Sequence, residues 1–148
     1  MRALQLAFEQ LASQISQFQV DFDIASSDLV PSQLGKIELI AQRFAKIKQL
    51  AETLNENAYL LVIGSSDNIG ADSANIILSN DRAASVAQAL IELGVASDDI
   101  LQTGVLPIDT RDTQANARKV IVTVIHSGKT PTESEEFLPY NNNNREEN

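Results

Sequence analysis

The chain contains no cysteine and no tryptophan, and only one histidine and one methionine in 148 residues. Without cysteine there can be no disulfide, no thiolate nucleophile, and no cysteine-held zinc or iron–sulfur cluster. One histidine cannot complete a three-His or His–Glu zinc site. That histidine, His126, ends the last apolar run with no Ser or Cys in a recognisable arrangement beside it, so no catalytic triad is signalled. Basic residues are also scarce: 11 Lys and Arg stand against 20 Asp and Glu, a net charge of -9. Such a chain lacks the basic footprint that a nucleic-acid backbone or an anionic membrane surface requires. No stretch approaches the roughly 18 apolar residues of a membrane-spanning helix, and Met1-Arg2 leads into an amphipathic pattern with no signal-peptide features. The six glycines form neither GxGxxG nor GxxxxGK[ST], so no phosphate-cradling loop is signalled. The close acidic pairs Asp21/Asp23 and Asp98/Asp99 suit strand ends and turns better than a glycosidase or calcium site. The expectation is a protein without metal, cofactor or catalytic residues.

What is present is periodicity. The length suits one core. Leu4, Phe8, Leu11, Ile15 and Phe18 recur at three- and four-residue spacing, predicting an amphipathic helix over 3–18. Gln19–Asp23 alternates as a short strand, and Ile24–Val30 reads as a loop. Pro31 suits the first turn of a helix that runs to about Asn55, with Ile37, Ile40, Phe44, Ile47, Ala51 and Leu54 on its buried stripe. Tyr59–Gly64 is continuously apolar, as for a central strand covered on both faces. A helix capped by Asp72 or Ser73 runs to Leu93, with Gly94 as its left-handed stop. Ile100–Val105 and Lys119–Ile125 predict two further strands, separated by a polar stretch that reads as loop or one short helix. From Ser127 the composition shifts to glutamate and an asparagine run, so 129–148 is expected to be a disordered tail. The order α-β-α-β-α-β-(α)-β predicts an α/β sandwich with helices on one face of the sheet.

One segment concentrates polar chemistry. "GSSDNIGADSANIILSNDRAASV" (64–86) carries Asp67 just beyond a buried strand and Arg82 on the helix that follows. In α/β sheets, ligands collect at the C-terminal ends of strands. Asn75, Ser79 and Arg82, spaced four and three apart, form one polar stripe on a helix whose buried side is Ala83, Val86, Ala87, Leu90 and Leu93. Asp67 and Arg82 could form a structural ion pair, half of a catalytic site, or a clamp in which Asp67 accepts from an ammonium while Arg82 grips a carboxylate bidentately.

Phe22-Asp23, Leu29–Pro31, "GSSDNIG" at 64–70, "NIILSNDRA" at 75–83 and "RKV" at 118–120 together resemble the OmpA-like peptidoglycan-binding domain family, across about residues 19–126. The resemblance implies a β-α-β-α-β-(α)-β fold with a four-stranded mixed sheet, to which the 1–18 helix is an addition. It further implies non-catalytic binding of peptidoglycan in the periplasm, anchoring an envelope protein to the wall. By this likeness Asp67 and Arg82 hold the ammonium and carboxylate at the free end of meso-diaminopimelate in the stem peptide. Ser66, Asn75, Leu78 and Arg118 sit beside them. Ser66 stands where Thr is usual, Ala117 where Asn is usual, and Leu106 where a second glycine is usual. The family's membrane-attached architecture implies that this sequence is a piece of a longer protein, and homodimerisation is left open. The competing expectations are an OmpA-like fold that serves as an interaction or assembly domain without binding wall, and a small α/β enzyme using its acidic pairs.

Overall fold

A computed structural model describes residues 2–66, 71–105 and 118–128. In chain order these form α1 (Arg2–Ser16), β1 (Gln19–Asp21), a 3-10 turn (Pro31–Gln33), α2 (Leu34–Leu54), β2 (Glu56–Ser65), α3 (Asp72–Glu92), a second 3-10 turn (Ser97–Asp99), β3 (Ile100–Val105) and β4 (Lys119–Gly128). The strands make one mixed sheet in the order β1-β4-β2-β3. β2 and β3 are parallel, while β4 runs antiparallel to both β1 and β2. The described helices pack on one face, giving the expected OmpA-like α/β sandwich.

Burial along β2 alternates: Ala58, Leu60, Val62 and Gly64 face the helices, and Tyr59, Leu61 and Ile63 on the other face are half-buried. The run is central in the sheet, as expected. Its continuous hydrophobicity overstated how evenly the two faces are covered. The helix-facing residues meet Ile37, Ile40, Phe44 and Ile47 of α2, Val86 and Leu90 of α3, and Phe8 and Ile15 of α1 in a single core. Each such side chain contributes about 1.5–3 kcal/mol when removed from water. α1, an addition by resemblance, therefore supplies part of the same core and packs against α2 and β4.

Boundaries moved where local hydrogen bonding decided them. β1 ends at Asp21 rather than Asp23, because after Phe22 N–H donates to the Arg118 carbonyl (2.9 Å) the chain enters a turn. β2 begins three residues earlier than the apolar run, since left-handed Asn55 (φ 60°) ends α2 and sends the chain straight into pairing with β4. Ala71, rather than Asp72 or Ser73, occupies the N-cap of α3, with no side-chain cap bond. Gly94 does end that helix in the left-handed region (φ 106°). Gly94 N–H donates to Ile91 O and Val95 N–H to Leu90 O, which ends the helix as a Schellman motif. The expected loop after β3, Leu106 and Ala117 within it, and the tail 129–148 lie outside the described residues.

Two glycines set where α3 lies. A Cβ on Gly64 would come within 2.0 Å of the Ser79 carbonyl oxygen, and one on Gly104 within 2.5 Å of Ser79 Oγ. α3 thus rests directly on the backbone of β2 and β3. One turn beyond Ser79, this seats Arg82 against the end of β2.

Candidate ligand-binding site

The register brings four chain segments to one edge of the sheet. Ser65 pairs with Val105, Gly64 with Val120, and Asp21 with Lys119. The C-terminal ends of β1, β2 and β3 and the start of β4 therefore share this edge, to which the N-terminal half of α3 also comes. Ser65 Oγ donates to the Lys119 carbonyl (3.2 Å), tying β2 to β4 there.

Arg82 is the centre of the arrangement. It is 0% exposed, and it is the largest fully buried side chain among the described residues. Its Nε donates to Ser26 O (2.8 Å), Nη1 to Ser65 O (2.9 Å) and Nη2 to Asp23 O (3.0 Å). Its Cζ lies 5.5 Å from the centroid of the Phe22 ring. A rigid planar fork thus joins the loop after β1 to the end of β2, with an aromatic face beneath it. Ser85, one turn further along α3, donates through Oγ to Ser27 O (2.6 Å) and fastens the same loop.

That loop is a tight structure. Ser26 N–H donates to Asp23 O (3.2 Å), closing a turn over Ile24 and Ala25. Ala25 sits at φ 56°, a conformation uncommon for a residue with a Cβ. Asp28 N–H donates to Ser26 Oγ (3.0 Å). Both carbonyls that bracket the turn, Asp23 O and Ser26 O, are held by Arg82.

The other expected site residues fall as follows. Ser66 is fully buried and donates through Oγ to the Asn75 carbonyl (3.0 Å), joining the end of β2 to the first turn of α3. Asn75 is 6% exposed and Leu78 is half-buried. Arg118 donates through Nε to Phe22 O (3.3 Å), so it braces the loop after β1 from the β4 side. Asp67 lies outside the described residues, one position beyond Ser66. The polar stripe Asn75, Ser79 and Arg82 does not stand apart from the apolar side of α3. All three are buried with Ala83, Val86, Ala87 and Leu90, because the glycines of β2 and β3 let the helix press its polar residues onto backbone.

Sequence reasoning missed the acceptors of Arg82. Backbone carbonyls carry no residue signature, and the approach of residues 23–26 to Arg82 spans more than fifty positions. The acidic pairs separate: Asp21 lies 3.8 Å from Lys36 at the site edge, whereas Asp99 pairs with Lys48 (3.2 Å) at the other end of the sheet. His126, also at that far end, contacts Glu56 (3.0 Å) and meets the Phe8 ring edge-on. Among the described residues no three His, Asp or Glu side chains gather where they could hold a metal, and no helix is long and apolar enough to cross a membrane.

Comparison with known proteins places this architecture. Outer membrane protein P5 of Haemophilus influenzae is 33% identical over 85 residues, which are 57% of this chain and 22% of that protein, so the chain spans about a fifth of that relative's length. The peptidoglycan-associated lipoprotein of Burkholderia pseudomallei has the same fold (TM-score 0.62, 21% identity, covering 72% of this chain and 89% of that one). So does the periplasmic domain of MotB from Helicobacter pylori (TM-score 0.61, 17% identity, 84% and 81% covered). The sequence profile of the OmpA family matches residues 21–121, from the end of β1 into β4 and across every segment that meets at the Arg82 edge. The chain belongs to the OmpA family.

Proposed function

We propose that this domain binds peptidoglycan non-covalently in the periplasm, through the diaminopimelate of the stem peptide, and so anchors an envelope protein to the wall without catalysing a reaction. Arg82 takes the carboxylate at the free end of diaminopimelate, and Asp67 takes the ammonium on the same carbon. Ser66, Asn75, Leu78 and Arg118 line the site. The observation that carries this reading is a buried guanidinium at the C-terminal edge of the parallel strands, where α/β sheets receive ligands, in a member of the OmpA family. In a low-dielectric setting a charge-assisted, two-pronged contact is stronger than the same pair in water. Arg82 has no accessible surface in this structure, so a carboxylate reaches it only as the atoms around it give way.

A second reading has its own support. The three carbonyl bonds of Arg82 make it a structural tie, which an OmpA-like interaction or assembly domain would need without any wall ligand. Co-sedimentation with purified sacculi separates the two. Wild-type protein should pellet with diaminopimelate-type sacculi, and Asp67→Ala should lose most of that binding while keeping its circular dichroism spectrum. Failure of the wild type to pellet favours the interaction domain.

A further inference from the structure

We infer that the face of the sheet turned away from the helices is a self-association surface, on which a second copy of this chain packs the same face of its own sheet. The inference goes beyond the wall-binding reading and does not depend on it, since Arg82 comes from α3 on the opposite, helix-covered face. The register assigns the residues of the open face. Tyr59, Leu61 and Ile63 of β2 alternate with its core residues. Tyr59 and Ile63 lie opposite Ile125 and Ile121 of β4, and Leu61 lies opposite Leu101 of β3. Six large apolar side chains therefore stand together on three neighbouring strands. Leu101 is 45% exposed and Ile121 37% exposed, and the other four are half-buried. None of the six belongs to the hydrophobic core or to the residues packed against it. A sheet face left to water normally turns polar residues outward, whereas β2 puts apolar residues on both sides. The outward set does nothing for the fold of one chain and suits a contact between chains.

Charge and area point to a second copy as the occupant. With a net charge of -9, two of these chains repel over most of their surface. The open face is the exception. Among the described residues it holds one carboxylate, Asp21, and one ammonium, Lys119, in register across β1 and β4. Asp21 also accepts from Gln19 Nε2 (3.0 Å) and lies 3.8 Å from Lys36 Nζ. Two copies meeting here set apolar side chains, not carboxylates, against each other. The ten residues of β2 rise about 33 Å and four strands span roughly 15–19 Å, so each copy offers on the order of 500 Å². Two such faces bury about 1,000 Å², the lower bound for a specific interface, which makes the dimer a reversible one. Packed as a sandwich with the sheets about 10 Å apart, the copies bring Leu61, in the middle row of the patch, near the two-fold axis.

The test is sedimentation equilibrium of the full chain from about 1 μM to about 1 mM, for wild type, Leu101→Glu, Ile121→Glu and Ile77→Glu. Ile77 is the control, since it is 60% exposed but lies on α3. Wild-type mass should rise with concentration from 16.1 kDa toward twice that value. Leu101→Glu and Ile121→Glu each place a carboxylate against apolar surface, so each should need at least roughly ten-fold more protein to associate. Ile77→Glu should associate as wild type, and all variants should melt within a few degrees of it. Raising salt to about 0.5 M should strengthen the dimer by screening the net repulsion, whereas a contact made through charges would weaken. Wild type that stays monomeric throughout overturns the inference, as does undiminished association in both Leu101→Glu and Ile121→Glu, or an equal loss in Ile77→Glu. Wild type that is monomeric but associates once truncated after Gly128 also overturns it, because the chain's own tail then covers the face. None of these outcomes bears on peptidoglycan, so the wall-binding reading stands or falls separately.

Discussion

Arg82→Ala should unfold this domain more readily as well as weaken its ligand binding. The guanidinium makes three hydrogen bonds of 2.8–3.0 Å to carbonyls of Asp23, Ser26 and Ser65 and is wholly buried. Removing it leaves those acceptors without their charged donor, opens a void above Phe22, and frees a turn whose Ala25 conformation it helps to hold. Leaving a buried acceptor unpaired costs about 1–3 kcal/mol, so three such carbonyls together make a loss of about 3–5 kcal/mol the expectation, against a total stability of about 5–15 kcal/mol for a domain of this size. Arg82→Lys restores a charge but not the fork. One ammonium cannot occupy three positions that the guanidinium spans with three separate nitrogens, so it should recover less than half of the loss. The assay is urea unfolding followed by far-ultraviolet circular dichroism, which needs no tryptophan. A parallel m-value would show that the unfolded reference is unchanged. If Arg82→Ala unfolds within about 1 kcal/mol of wild type, the latch role is wrong, since that is the size of one ordinary surface pair. The consequence for functional work is direct: loss of wall binding in Arg82→Ala mixes damaged ligand contact with a damaged loop, whereas Asp67→Ala is the cleaner probe of the clamp.

Two further outcomes are expected. Gly64→Ala should destabilise by about 3 kcal/mol, because its Cβ would meet the Ser79 carbonyl at 2.0 Å and α3 must lift from the sheet to relieve it; thermal melting measures this, and an unchanged midpoint would contradict the close packing. Truncation after Gly128 should leave both midpoint and sacculus binding unchanged, since 129–148 holds too little apolar material to offset its ordering entropy, whereas a drop of several degrees would show that Phe137, Leu138 or Tyr140 contributes to the fold.

The helices were legible because their apolar spacing is regular: Ile37, Ile40, Phe44 and Ile47 alone fix the face of α2. β4 was legible from its β-branched run, and the end of α3 from Gly94. Less legible were features in which side chains carry no information. β1 is held by register with β4, and Phe22 just beyond it by bonds with Arg118, so five alternating residues predicted a longer strand than the turn allows. Ala25 gave no warning of a positive φ, because glycine or asparagine is the usual mark of one. Arg82 could be picked out as a candidate from residue type and position, with Asp67 named as its partner on the same grounds. That Arg82 spends three donors on backbone could not, because its acceptors are set by how α3 settles on Gly64 and Gly104. The polar stripe on α3 was legible as a pattern, yet its environment was inverted: Ser79 and Arg82 are buried against strand ends and loop carbonyls.

The central claim is that the site requires an ammonium and a carboxylate on one carbon. The direct measurement is calorimetric affinity of the wild-type domain for two stem peptides that differ only in carrying meso-diaminopimelate or lysine. Lysine keeps the ammonium and removes the carboxylate proposed for Arg82. A charge-assisted hydrogen bond is worth about 1.5–3 kcal/mol, so the lysine peptide should bind at least roughly ten-fold more weakly. Equal affinity for the two peptides would contradict the clamp, even if the protein still pelleted with sacculi.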